Sequence, residues 1–251
     1  RFVMFCFGNG IFERLWMLHG MQNTMMAFRR HPDAVREIIQ RVKDFHVRVL
    51  KNCQEIAKGR IDGAAMADDW GVQDRTFVSP ATFRDFFKPA YAEWFKEIKA
   101  LGCHTWMHSC GKINAIVGDL IEAGLEVVNN QQPNTVGLEE FGAAYRGKIC
   151  FEAIVDTQNT LPRGTYEEIV QQAHDICDKY GTPAGGLIPS DYNDAEAIGV
   201  TLDRRLVMFR AFAERGNYPG YEALIEKAAK AGGLQGHSWG RASQAKSTVS
   251  E

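Results

Sequence analysis

His108 and Cys110 stand two residues apart in the run His108-Ser109-Cys110-Gly111. On extended backbone, residues i and i+2 point to the same side, so an imidazole and a thiolate there can grip one cation. Zinc accepts both donors and keeps a coordination position open in catalytic sites. The plainer alternative is a hydrogen-bonding histidine beside a small buried thiol. Asp68 and Asp69 close the apolar run Ile61–Ala67. Adjacent side chains at a strand end point to opposite faces, so one carboxylate at most turns readily toward a site. There it can act as a base, a metal partner or a substrate acceptor, or it can cap a helix.

Asn129-Asn130-Gln131-Gln132 offers neutral donors and acceptors to a polar uncharged group, or simply builds the turn before Pro133. Asp156-Thr157-Gln158 and the following Leu161-Pro162-Arg163-Gly164-Thr165 read either as an active-site loop entering a helix or as a structural turn. Trp16, Trp70, Trp106 and the Met17–Met26 stretch either line an apolar pocket or belong to the core, whereas Tyr91, Trp94 and Phe95 read as packing residues.

The elements that must position these residues alternate. Strand-like runs fall at Phe2–Phe7, Ile61–Ala67, His104–His108, Glu126–Asn129, Lys148–Val155 and Gly186–Pro189. A helix over Asp33–Ala57 repeats Val35, Ile38, Ile39, Val42, Phe45 and Val49 at three- and four-residue steps, with Pro32 before it and Gly59 after it. Further helices are expected at Phe83–Leu101, Ile113–Ala123 and Tyr166–Tyr180, the last opened by a Thr165/Glu168 capping box. Strand followed by helix implies parallel pairing with right-handed crossovers. No Gly-x-Gly-x-x-Gly follows a strand, so a dinucleotide-binding open sheet lacks its motif. Polar residues instead gather just after the strands, where a (β/α)8 barrel keeps its chemistry. Six such units are legible, so the barrel reading expects about two βα units upstream of Arg1. It takes residues 1–231 as barrel and the Gly/Ser-rich residues 232–251 as a disordered tail.

The 251 residues are 45% hydrophobic and 24% charged, with a formal net charge of -2, a balance that gives no reason to expect nucleic acid as a partner. No run is long and apolar enough for a membrane span. Six dispersed cysteines argue against a disulfide framework and for a reducing, cytoplasmic setting.

Taken together and in order, several segments resemble the uroporphyrinogen decarboxylase superfamily. They are Asp68-Asp69-Trp70-Gly71-x-Gln73, Ser79-Pro80, Phe87-Lys88-Pro89-x-Tyr91, His108-Ser109-Cys110-Gly111, Gln132-Pro133 and Asp156-Thr157-Gln158-x-x-Leu161-Pro162-x-Gly164-Thr165. The His-x-Cys pair is most similar to the branch that includes cobalamin-dependent methyltransferases. That resemblance implies a zinc-dependent methyltransferase moving a methyl group between a small substrate or thiol and a corrinoid (cobalamin) on a partner protein. His108 and Cys110 would bind the metal, with Asp191 in the place of a later cysteine. Asp69 and Asp156 would take the catalytic roles; Asp68, Trp16, Gln73, Gln132 and Gln158 would contact substrate. The family's active-site tyrosine falls at Trp16, its late histidine at or beside Asp191, and the serine before its Trp-x-Gly at Asp69. Those replacements weigh against the alternative, a metal-free decarboxylase acting on a porphyrinogen. A third reading is a barrel that binds without catalysing. The resemblance also implies a homodimer.

Overall fold

A computed structural model describes residues 1–217 and 220–231; the tail expected to be disordered lies outside the described residues. Six strands follow one another in sheet order as they do in the chain: β1 (Met4–Asn9), β2 (Gly63–Ala67), β3 (His104–His108), β4 (Val127–Asn130), β5 (Cys150–Ala153) and β6 (Leu187–Pro189). Helices separate them: α1 (Ile11–His19), α2 (Met21–Arg30), α3 (Pro32–Ile56), α4 (Lys88–Ala100), α5 (Asn114–Ala123), α6 (Leu138–Tyr145), α7 (Tyr166–Tyr180), α8 (Leu202–Arg215) and α9 (Tyr221–Ala231). The expected α/β alternation is present, and each expected strand occurs within about two residues of its expected bounds.

The chain divides into two compact units, residues 1–130 with 144–151, and residues 131–143 with 152 onward. In the first, β1, β2, β3 and β4 pair in parallel, with Ala67 opposite His108 and His108 opposite Asn129. This register brings three strand ends level. Cys150 N donates to Glu126 O at 2.9 Å, continuing the order toward β5. Alternate residues Thr105 and Met107 of β3 are fully buried, and all four residues of β4 are buried, as strands covered on both faces require.

α3 begins with Pro32 in its first turn, where a missing N–H costs nothing. Its buried stripe is Val35, Ile39, Lys43, His46, Val47, Leu50 and Gln54, while the expected core residues Ile38 and Phe45 are exposed. The apolar face is therefore rotated from the one expected, because polar residues found partners. Lys43 Nζ reaches Glu93 at 2.7 Å and Asp44 at 2.9 Å, and the His46 ring stacks on Trp94 with centroids 4.8 Å apart.

The helix expected over Phe83–Leu101 divides into a π-turn at Phe83–Phe87 and α4. Pro89 at the start of α4 has no N–H to donate back into the preceding turn, which is where the wider turn sits. Trp70, Phe83, Phe87, Tyr91, Trp94 and Phe95 are fully buried around it, and Phe12 stacks on Trp70 at 4.4 Å. Trp70 is thus a core residue.

In the second unit, Ser190 N donates to Ala153 O at 2.9 Å, joining β6 to β5. The Thr165/Glu168 capping box opens α7 as expected: Glu168 N donates to Thr165 Oγ1 at 3.2 Å and Thr165 N to Glu168 Oε2 at 2.7 Å. Arg204 of α8 donates from its guanidinium to Leu161 O at 2.5 Å and also to Gly164 O, fastening the loop before α7. Among the described residues, no helix is long and apolar enough to cross a membrane.

Candidate metal centre

Three strand ends in the first unit build one cluster. Extended backbone through β3 and Ser109 turns His108 and Cys110 to the same side, and Cys110 Sγ lies 3.4 Å from His108 Nε2. Asp69, just beyond β2, places Oδ1 3.7 Å from that same nitrogen. It also accepts the Cys110 backbone N–H at 2.7 Å, so the carboxylate is positioned by the loop that carries the sulfur. Nitrogen, sulfur and oxygen donors all lie within 4.8 Å of one another. Each of the three residues is half-buried.

The His108 ring is oriented from behind. Its Nδ1 faces Asn129 Oδ1, one strand across in β4. A carboxamide oxygen can only accept, so this contact places the ring proton on Nδ1 and leaves the Nε2 lone pair toward Asp69 and Cys110. That is the arrangement typical of metal-ligating histidines. Asn130, pointing the other way from the same strand, donates through Nδ2 to Ser109 O at 2.8 Å and Gly111 O at 3.1 Å. Ser109 is fully buried, and its Oγ accepts the Trp70 N–H at 2.9 Å. Gly111, at φ +76°, then lets the chain turn hard toward α5.

Asp68 and Asp69 separate as adjacent strand-end residues should. Asp68 is fully buried and accepts Phe12 N at 3.0 Å, Glu13 N at 2.7 Å and the Tyr91 hydroxyl. The residue before α1, Gly10, has no side chain to cap that helix, and the carboxylate of Asp68 does so from another strand. A Cβ on Gly10 would lie 2.5 Å from Asp68 Oδ2, so glycine is required there. Burial pushes the Asp68 carboxyl up to about 7 against the pull of these hydrogen bonds.

Burial also raises the Cys110 thiol, and the negative charges of Asp69 and Glu13 add to it, to about 12. The sulfur is therefore neutral beside its carboxylate neighbours until a cation compensates them. One imidazole nitrogen, one sulfur and one carboxylate oxygen, with negative charge in excess, fit a zinc ion.

Glu13 was not singled out in the sequence. It is 8% exposed, accepts from Asn9 Nδ2 at 2.8 Å, and lies near enough for its charge to bear on Asp69, His108 and Cys110. Asn9 and Glu13 at i and i+4 across the start of a helix were the only local hint. Trp16, one turn further along α1, is half-buried, and Gln73 is exposed.

The remaining expected residues lie in the second unit. Asp156 is fully buried; its Oδ1 accepts Gln158 N at 3.2 Å and Asn159 N at 2.8 Å, while its Oδ2 has no partner among the described residues. Gln158 Oε1 accepts from Thr135 Oγ1 at 3.3 Å, and the Gln132 carbonyl accepts Thr135 N at 2.9 Å. Asp191 is paired by both carboxylate oxygens with the Arg205 guanidinium.

No curated protein matches the chain. Among solved structures, it is similar to a methyltransferase from Methanosarcina mazei, with a TM-score of 0.60 and 16% identity over 83% of this chain and 58% of that one. The chain thus spans 58% of that protein's length, and the likeness bears on fold alone. A looser overlap, TM-score 0.40 at 15% identity, covers 66% of this chain and 63% of a 7,8-dihydropteroate synthase from Vibrio fischeri ES114. The family model described as uroporphyrinogen decarboxylase (URO-D) matches residues 4–190, and the chain belongs to that family.

Proposed function

We propose that this chain carries the metal centre of an enzyme that moves a methyl group between a small substrate and a corrinoid on a partner protein. The carrying observation is the convergence of Asp69, His108 and Cys110 donor atoms within 4.8 Å. In this reading Asp69 is the third ligand, which the pairing of Asp191 with Arg205 favours over Asp191. Zinc bound there would supply Lewis acidity toward a substrate heteroatom or hold an attacking thiolate.

The chain's own groups have distinct tasks. Asn129 keeps the His108 proton on Nδ1, so Nε2 stays free to ligate. Asp69 accepts the Cys110 N–H and fixes the sulfur's approach. In the first unit Trp16 and Gln73 would contact substrate; in the second, taken by itself, the open Oδ2 of Asp156 would accept a polar donor, with Gln132 and Gln158 as further hydrogen-bonding groups. Asp68, by contrast, is taken up in capping α1 and holds the first turn of that helix against the centre. A cytoplasmic homodimer meeting a corrinoid protein completes the reading.

Elemental analysis tests it. Purified protein should carry about one zinc per chain at near-full occupancy. Cys110→Ser and Asp69→Asn should lose the metal, and Asp191→Asn should keep it. Metal-free protein that decarboxylates a porphyrinogen undisturbed by chelators would instead establish the decarboxylase alternative.

A further inference from the structure

Gly20 alone separates α1 from α2, at φ +83°, and His31 alone separates α2 from α3. Three helices thus meet within one short stretch of chain. α2 enters that junction with little bulk, since its buried residues are Thr24 and Ala27, three apart on one face. Two small side chains at a helix junction leave it underfilled by the standard of a close-packed interior. A cavity of about 150 Å³ lies there. Leu15, Thr24, Ala27 and Val35 form its buried floor, and exposed His19 and His31 stand at its mouth.

Thr24 is 1% exposed, and its Oγ1 has no hydrogen-bond partner. A buried hydroxyl left unpaired is destabilising, and a helical threonine has two accessible χ1 states. An occupant can therefore engage this hydroxyl through a rotation that breaks no existing bond. Water suits the cavity poorly, because a buried water needs several polar partners and the buried side chains of the floor supply one. Leu15, Ala27 and Val35 offer only carbon. Among the described residues, no carboxylate, ammonium or guanidinium lines the cavity, so its occupant is neutral. An apolar cavity of about this volume takes up benzene.

We infer that the junction of α1, α2 and α3 binds a small neutral alcohol with an apolar body of benzene size. The body fills the space between Leu15, Ala27 and Val35, and the hydroxyl pairs with Thr24 Oγ1. None of these residues belongs to the Asp69, His108 and Cys110 cluster, so the site stands whether or not a metal is held there.

Phenol and toluene, alike in size and different in the hydroxyl, are the probes. Titration of phenol into the whole chain, followed by NMR of labelled methyl groups, should shift the Leu15, Ala27 and Val35 signals. Thr24→Val, which exchanges the hydroxyl for a methyl, should weaken phenol binding roughly fivefold and leave toluene binding unchanged or tighter. Ala27→Leu, which fills the cavity, should abolish binding of both, with a melting curve to show that it folds. Wild-type signals that phenol does not move overturn the site without recourse to any variant. Phenol and toluene responding alike to Thr24→Val overturns the alcohol assignment. Where Ala27→Leu does not fold, the wild-type shifts and Thr24→Val decide.

Discussion

Gly71 and Gly111 press backbone against backbone: a Cβ on Gly111 would lie 2.3 Å from Gly71 carbonyl atoms, and one on Gly71 would lie 2.6 Å from Gly111 C. The loop after β2, which carries Asp69, and the loop after β3, which carries Cys110, are thereby held in register. Gly111→Ala meets both this clash and a left-handed φ of +76°. It should cost about 2–4 kcal/mol of stability and abolish metal binding, because the loops must part. Denaturant titration and zinc analysis check this; stability within about 0.5 kcal/mol of wild type would contradict the contact.

The Cys110 thiol, raised to about 12 chiefly by burial and then by Asp69, should resist alkylation in metal-free protein. At pH 8 its thiolate fraction should be about a thousandfold below that of an ordinary cysteine. Removing a neighbouring negative charge lowers a raised thiol, so Asp69→Asn should speed iodoacetamide labelling of Cys110, by roughly tenfold. Mass spectrometry of the modified peptide gives both rates, and a Cys110 as reactive as exposed Cys6 would refute the account.

In the proposed centre Asn129 would act on a metal only through His108. Asn129→Leu should lower zinc affinity about 10–100-fold, whereas Asn129→Asp, which retains an acceptor, should restore most of it. Nitrogen NMR of the ring adds a readout that general destabilisation would not move: the Nδ1–H tautomer should dominate in the wild type and not in the leucine variant.

His46 packs between Phe7 and Trp94, and burial pushes it down from 6.5 to about 4. The unfolded chain therefore binds this proton first as pH falls. The stability it confers is full above pH 6.5 and is lost progressively toward pH 4, by at most about 3 kcal/mol. Melting curves should show this loss between those limits, and His46→Phe should flatten that part of the profile. An unchanged pH slope in the variant would assign the loss to other groups.

Much of the scaffold was legible because strand and helix periods are punctuated by proline, glycine and a capping box, all of which act locally. His108 and Cys110 were legible for the same reason, since two residues apart on extended chain is a local geometry. The division of Asp68 from Asp69 followed from strand alternation, but not which of them would face His108 and Cys110; that depends on α1 arriving with its N–H groups bare. Asn129 was missed as the partner of His108, and Glu13 as its neighbour in charge, because one lies on the adjacent strand and the other on α1, both far from it in sequence. The exposed side of α3 was misjudged because hydropathy alone does not anticipate that Lys43 and His46 meet Glu93 and Trp94. The pairing of Asp191 with Arg205 was likewise not legible, since its guanidinium partner lies on the following helix.

Neighbouring Asn129 and Asn130 serve opposite faces of β4, one steadying an imidazole and the other a loop. A slide of that strand by a single residue would exchange the two carboxamides, stranding the ring and releasing the sulfur together. Affinity for the proposed ion would therefore report strand alignment, and a mispaired chain would fail to hold it.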